Sequence, residues 1–321
     1  MKFPSQRKLQ YESPLLGNDA FTTVGYLNLP KDLSIVNRRG YASTSKDGTP
    51  YVFRCKVDLY LADHDGTGLS AAVGSDFNTT LKIEGVQNNW VMLQASKKWH
   101  TARNNMFKRA GILSKDRGAY SKEIRFAYAG AADSFMSPID GNGDEFTGGT
   151  WDVSTMVTEA DSDFNLKLTG IGLDEESAAA ATAINIGHSY LLSRVNQQAD
   201  TNLQAEEGPA DQSILRGMLL LSEPNDGRID DINAEARDAQ DNPPYEVLDL
   251  SDSGDVNHDI TEPVELGRVV AGLGNTYGST IVDIPFGICD MKAVHYDAAD
   301  TNITSKVLVC VEVLDIYEMQ G

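Results

Sequence analysis

The residues of this chain best suited to chemistry are oxygen-bearing side chains gathered in turns. Asp140, Asn142 and Asp144 alternate with Gly141 and Gly143 and are followed by Glu145, the spacing with which a calcium loop begins. Hard cations take such oxygens, so these three residues are the candidate ligands of a structural Ca²⁺, the one cofactor the sequence suggests. The pattern departs from an EF-hand: Glu145 stands where glycine is needed, and Trp151 where the bidentate glutamate should be. Asp252, Asp255, Asn257 and Asp259 form a second oxygen cluster, and Asp63, His64 and Asp65 a third. Solvated acidic turns would read the same way, because Asp, Asn and Gly dominate turns.

Catalytic signatures are missing. There is no Gly-x-Gly-x-x-Gly after a strand, no phosphate loop and no Gly-x-Ser-x-Gly elbow. His64, His100, His188, His258 and His295 are scattered with no zinc spacing. Cys55, Cys289 and Cys310 form neither a CxxC pair nor a disulfide framework, and are expected as buried free thiols. A two-carboxylate hydrolase has no discriminating support, since 47 acidic residues always supply a pair. The expectation is a protein that is not an enzyme.

The cations are better organised. From Asn88 to Arg125 one segment holds much of the positive charge and the clearest helical pattern. Met92, Ala95, Trp99, Ala102, Met106 and Ala110 make a single apolar stripe. Asn88 or Asn89 can cap its start; Lys108, Arg109 and Gly111 suit its end. Lys97, Lys98, Arg103, Lys108 and Arg109 fall off the stripe and, with Lys115 and Arg117, form a candidate basic surface. A solvated face explains it; so does contact with a genome, anionic lipid or an acidic neighbouring subunit.

Residues 1–126 hold 19 basic and 11 acidic residues, net +8; the remainder holds 8 and 36, net −28, within a total of −20. Such an acidic chain does not bind a nucleic acid backbone over its whole surface. No apolar stretch at the start reads as a leader and no run reaches membrane-spanning length, so synthesis in the cytoplasm is expected.

The rest is patterned as about a dozen short strands. Tyr51–Leu61 is the clearest in the first half, with Tyr51, Phe53, Cys55, Val57, Leu59 and Leu61 on one face. Phe21–Leu29, Leu33–Tyr41, Thr79–Val86, Lys122–Tyr128, Phe164–Ile171 and Ile184–Arg194 also read as strands, as do four segments between Val264 and Tyr317. Two acidic, turn-rich stretches, 196–212 and 223–263, separate the later ones. The expected class is all-β with one prominent helix, a jelly-roll β-sandwich. The expected division is an arm over 1–19, a first barrel over 20–145 including helix 88–111, and a second over 146–321.

Trp99–Ile112 (WHTARNNMFKRAGI), Gly118–Tyr120, Lys122–Arg125, Gly149–Asp152 and Val282–Gly287 (VDIPFG) together resemble the capsid proteins of small environmental and marine single-stranded DNA viruses. The resemblance implies a jelly-roll major capsid protein that self-assembles into an icosahedral virion. Many such proteins carry a long basic arm; this chain does not, which favours a double jelly roll over a single roll with long insertions. The implied partners are further copies of the chain in a homotrimer, minor capsid proteins, and a genome or internal membrane on the inner face. The alternative is a calcium- or carbohydrate-binding β-sandwich module of tail-fibre or adhesin type.

Overall fold

A computed structural model describes residues 3–13, 21–61, 78–113, 115–118, 123–129, 135–149, 151–157, 163–170, 172, 183–195, 215, 218–219, 262–272, 275–296 and 307–320. The expected clusters around Asp63 and Asp252, and both acidic stretches apart from a few residues, lie outside them. The described elements run β1 (Lys8–Glu12), β2 (Thr22–Asn28), α1 (Leu29–Asn37), β3 (Tyr51–Tyr60), β4 (Asn78–Gly85), α2 (Trp90–Arg109), β5 (Thr155–Val157), β6 (Asp163–Lys167), β7 (Ala183–Asn185), α3 (Ile186–Val195), β8 (Val264–Gly272), β9 (Tyr277–Pro285), β10 (Ile288–Tyr296) and β11 (Leu308–Glu318).

Three sheets result: β1-β11-β3-β9, β2-β10-β4-β8 and β5-β6-β7. The first two are antiparallel throughout; in the third, β6 and β7 run parallel. Apolar side chains of both four-stranded sheets meet in one core, with Leu29 and Leu33 of α1 among them. A second core joins α2, α3 and the three-stranded sheet to Val52, Phe286, Ile288 and Met319 at one end of the larger sheets.

The expectation of an all-β double jelly roll with one prominent helix is corrected here. Among the described residues the fold is mixed α/β, with three helices rather than one and three sheets not closed into a barrel. A double roll would need each half to pair its own strands. Instead β10 lies between β2 and β4, and β11 between β1 and β3, so strands from both ends of the chain share each large sheet.

Two helices replace expected strands for local reasons. The Asn28 side chain accepts a hydrogen bond from the Lys31 N–H at 3.1 Å, and Pro30 occupies the first turn, where its missing N–H costs nothing. Leu29 and Leu33 then fall on one buried face of α1. For α3, the Asn185 side chain accepts from the N–H groups of Gly187 and His188, turning an apolar run into a helix start. α2 follows its pattern closely. Asn89 caps it through Met92 N–H at 2.9 Å, and Trp99 is fully buried, edge-on to Phe164.

β9 and β10 are joined by Phe286 and Gly287, both at positive φ (59° and 68°). A Cβ on Gly287 would lie 2.7 Å from Pro30 and 2.8 Å from Phe53, so this turn and α1 are fitted to one another. Phe286 accepts the left-handed strain and buries its ring edge-on to Phe126.

Asp32, in the first turn of α1, is wholly buried beside the apolar core and accepts a 2.7 Å hydrogen bond from the Tyr11 hydroxyl of β1. Burial raises its pKa to about 7, against the lowering effects of Lys31 and Tyr11. A carboxyl raised on folding contributes full stability below its unfolded pKa, and that contribution is lost as pH climbs through the folded value. Stability should therefore fall between about pH 4 and pH 7 on Asp32's account. Tyr11→Phe should cost ~1–3 kcal/mol and extend that decline above pH 7, read from urea unfolding across pH.

Candidate anion-binding cleft

A cleft of about 490 Å³ lies beside α1. One wall is the helix face opposite its buried side, where Lys31, Ser34, Ile35 and Arg38 follow at helical spacing. The floor is Arg39, Gly40 and Tyr41, just past the helix end. The far wall comes from two distant segments: Glu123 with Arg125, and Thr147 to Gly149 with Trp151.

Local bonds fix each wall. Ser34 Oγ donates to Pro30 O at 2.6 Å and accepts from Tyr41 N–H at 2.9 Å, folding the chain back after α1. Arg38 closes the helix in the left-handed region (φ 51°, ψ 39°), its N–H bonded to Ser34 O. Arg125 is held by reciprocal bonds with Ser154: its N–H donates to Oγ at 3.0 Å, and its carbonyl accepts from Ser154 N–H at 2.9 Å. Its guanidinium stacks over the Trp151 indole, 4.2 Å from the ring centroid.

Three guanidinium groups, Arg38, Arg39 and Arg125, thus face one carboxylate, while the Lys31 ammonium lies 3.9 Å from Asp32 and donates to Met136 O at 3.3 Å. Glu123 is pushed above the usual carboxylate range by burial, an effect that Arg125 partly offsets. Arg38 and Arg39 make no ion pair with any described carboxylate. Arginines at a helix C-terminus already complement its dipole. The Trp151 Nε1–H, however, is buried at the cleft and meets no acceptor among the described residues. An indole N–H can only donate, so an oxygen of a bound anion is its natural partner.

The sequence-expected basic surface is divided by the fold. Lys98, Lys108, Arg109 and Lys115 are exposed, and Lys97 and Arg117 are half-buried. Arg103 turns inward. Its Nη1 donates to Glu123 O at 2.9 Å, and its guanidinium lies 4.9 Å from the Phe107 ring. Burial, then the neighbouring charges of Arg117 and Arg125, draw its pKa down to about 10. Arg117 covers the same Phe107 ring at 4.2 Å and donates to Asn104 Oδ1. Arg103 therefore links α2 to the Glu123–Arg125 wall and adds positive potential behind it.

The calcium candidates form a self-satisfied turn. Asp140 Oδ1 accepts from Asn142 N–H at 2.8 Å and Asp144 N–H at 3.0 Å, bonds that lower its pKa. Among the described residues no group of three or more His, Cys, Asp or Glu side chains is placed to hold a metal. The three cysteines are buried and free.

Sequence reading missed the cleft because its parts are three segments with no common spacing. Trp151, which in the sequence only marks the place where a calcium loop would need glutamate, is half-buried and lines the opening. The available signal was Arg38-Arg39-Gly40 behind the Asn28–Pro30 helix start. Arg103→Ala should lower stability by ~1–3 kcal/mol in urea unfolding, whereas Lys98→Ala should stay within ~0.5 kcal/mol.

Comparison with family models, curated proteins and solved structures finds no match to this chain. That, with the mixed α/β fold, overturns the resemblance to viral capsid proteins and with it the reading of an icosahedral, jelly-roll shell protein. The β-sandwich binding-module alternative gains no support either: the described fold is mixed α/β and no such module matches. The segments that suggested the resemblance have local work of their own: Trp99 packs α2, and Val282–Gly287 ends β9 and forms the turn into β10.

Proposed function

We propose that this protein binds an organic anion, without catalysis, in the cleft beside α1. The observation that carries this reading is the assembly of Arg38, Arg39 and Arg125 around one space, against Glu123 alone. Guanidinium groups present forked donors that match the oxygens of a carboxylate or phosphate. The orphaned Trp151 donor supplies a further contact for such an oxygen. Nothing in the lining offers a nucleophile paired with a base.

Arg38 permits a test that separates folding from binding. Glycine accepts its left-handed backbone without strain, so Arg38→Gly should melt no lower than the parent. The same variant, and Arg39→Ala, should each weaken binding of benzoate or phenyl phosphate about tenfold or more by calorimetry, a loss of ~1.4 kcal/mol. Unchanged affinity in both would refute the reading.

Charge sets the dependence on conditions. Affinity should fall with ionic strength, because the cleft is open to solvent. It should also fall as pH rises through the elevated pKa of Glu123, whose ionisation places a negative charge beside the ligand. Glu123→Gln should remove that pH step and tighten binding at neutral pH.

A further inference from the structure

We infer that the ligand is a planar aromatic ring carrying an oxyanion, the oxyanion meeting Arg38 and Arg39 and the ring extending the stack of Arg125 on Trp151. This rests on the anion-binding reading and narrows it. An inorganic anion would occupy only a small part of 490 Å³, whereas pockets of this size bury whole organic molecules. The lining is also of the wrong kind for a hydrated ion: Ile35 and Trp151 bring apolar and aromatic surface beside the cations.

The Trp151 indole already carries one flat group. Arg125 stacks on it at 4.2 Å, and a guanidinium presents a second planar surface on which an aromatic ring can lie. A ring in this position extends the stack, while its oxyanion reaches the arginines at the end of α1. Gly148 and Gly149 leave the far side without side chains. A Cβ on Gly149 would meet no atom within 4 Å, and one on Gly148 would meet Ile35 at 2.8 Å. The wall is open at the first position and tight against α1 at the second, which suits a flat ligand better than a branched one.

Calorimetry on the full chain at constant ionic strength tests this with four probes: inorganic phosphate, glycerol phosphate, phenyl phosphate and benzoate. At least one of the two aromatic probes should bind tenfold or more tighter than glycerol phosphate. Preference for phenyl phosphate would identify a phosphate ester as the source of the oxyanion; preference for benzoate would identify a carboxylate. Trp151→Leu should abolish the aromatic preference while glycerol phosphate binding changes little more than the lost N–H contact requires. Trp151→Phe keeps a ring and should keep the preference, with all affinities lowered severalfold; thermal melts of both variants confirm that they are folded. Equal binding of aromatic and aliphatic probes would overturn the ring while leaving the anion reading intact. Silence from all four probes would overturn both.

Discussion

The fold depends on one constraint: two four-stranded sheets and α1 must bury their apolar faces in a single core. Cys55, Val57 and Leu59 of β3, Leu81 and Ile83 of β4, Met291 and Ala293 of β10, and Val309, Val311 and Val313 of β11 all enter it. Alternation along each strand leaves the opposite faces to ion pairs such as Arg54–Asp283 at 3.0 Å and Lys292–Glu84 at 2.5 Å. The exposed Arg54–Asp283 pair contributes little, whereas Glu84 is itself buried and needs its lysine partner. Both pairs keep the outer surfaces polar while the inner faces supply the cohesion.

The cleft is a by-product of that burial. α1 commits Leu29 and Leu33 to the core, so Lys31, Ser34 and Arg38 must turn the other way. The second core fixes the opposite wall: Ile124 and Phe126 are buried in it, and Arg125 between them is directed out of it. Alternating burial along the Ile124–Phe126 segment on one side and helix periodicity on the other thus bring cations together from segments almost ninety residues apart.

What could be read in advance follows from how local each signal is. α2 announced itself through an apolar stripe sustained over five turns, and Tyr51–Leu61 through clean period-two alternation. α1 and α3 did not, because a short apolar run fits a strand or a helix equally until its cap is recognised; Asn28 and Asn185 decide both. The calcium spacing at Asp140 described a turn that satisfies itself, a feature that composition cannot separate from a metal loop. The cleft was invisible for a different reason. It exists only after tertiary packing, and Arg103, counted among surface cations by its position on the helical wheel, is buried by a loop that the wheel does not include.

The pairing of β1 with β11 bears on how fast the protein can form. Tyr11 faces Val309 and Lys8 faces Glu312, so these ladder bonds close a loop of about 300 residues. Closure entropy grows only slowly with length, but it must be met before the contact returns anything. A sheet with β11 as an inner strand cannot complete by local zippering, and until that strand docks β3 presents an open edge to any passing chain. Slow, late-closing kinetics and a window for mispairing are therefore properties of this topology, independent of how stable the finished molecule is.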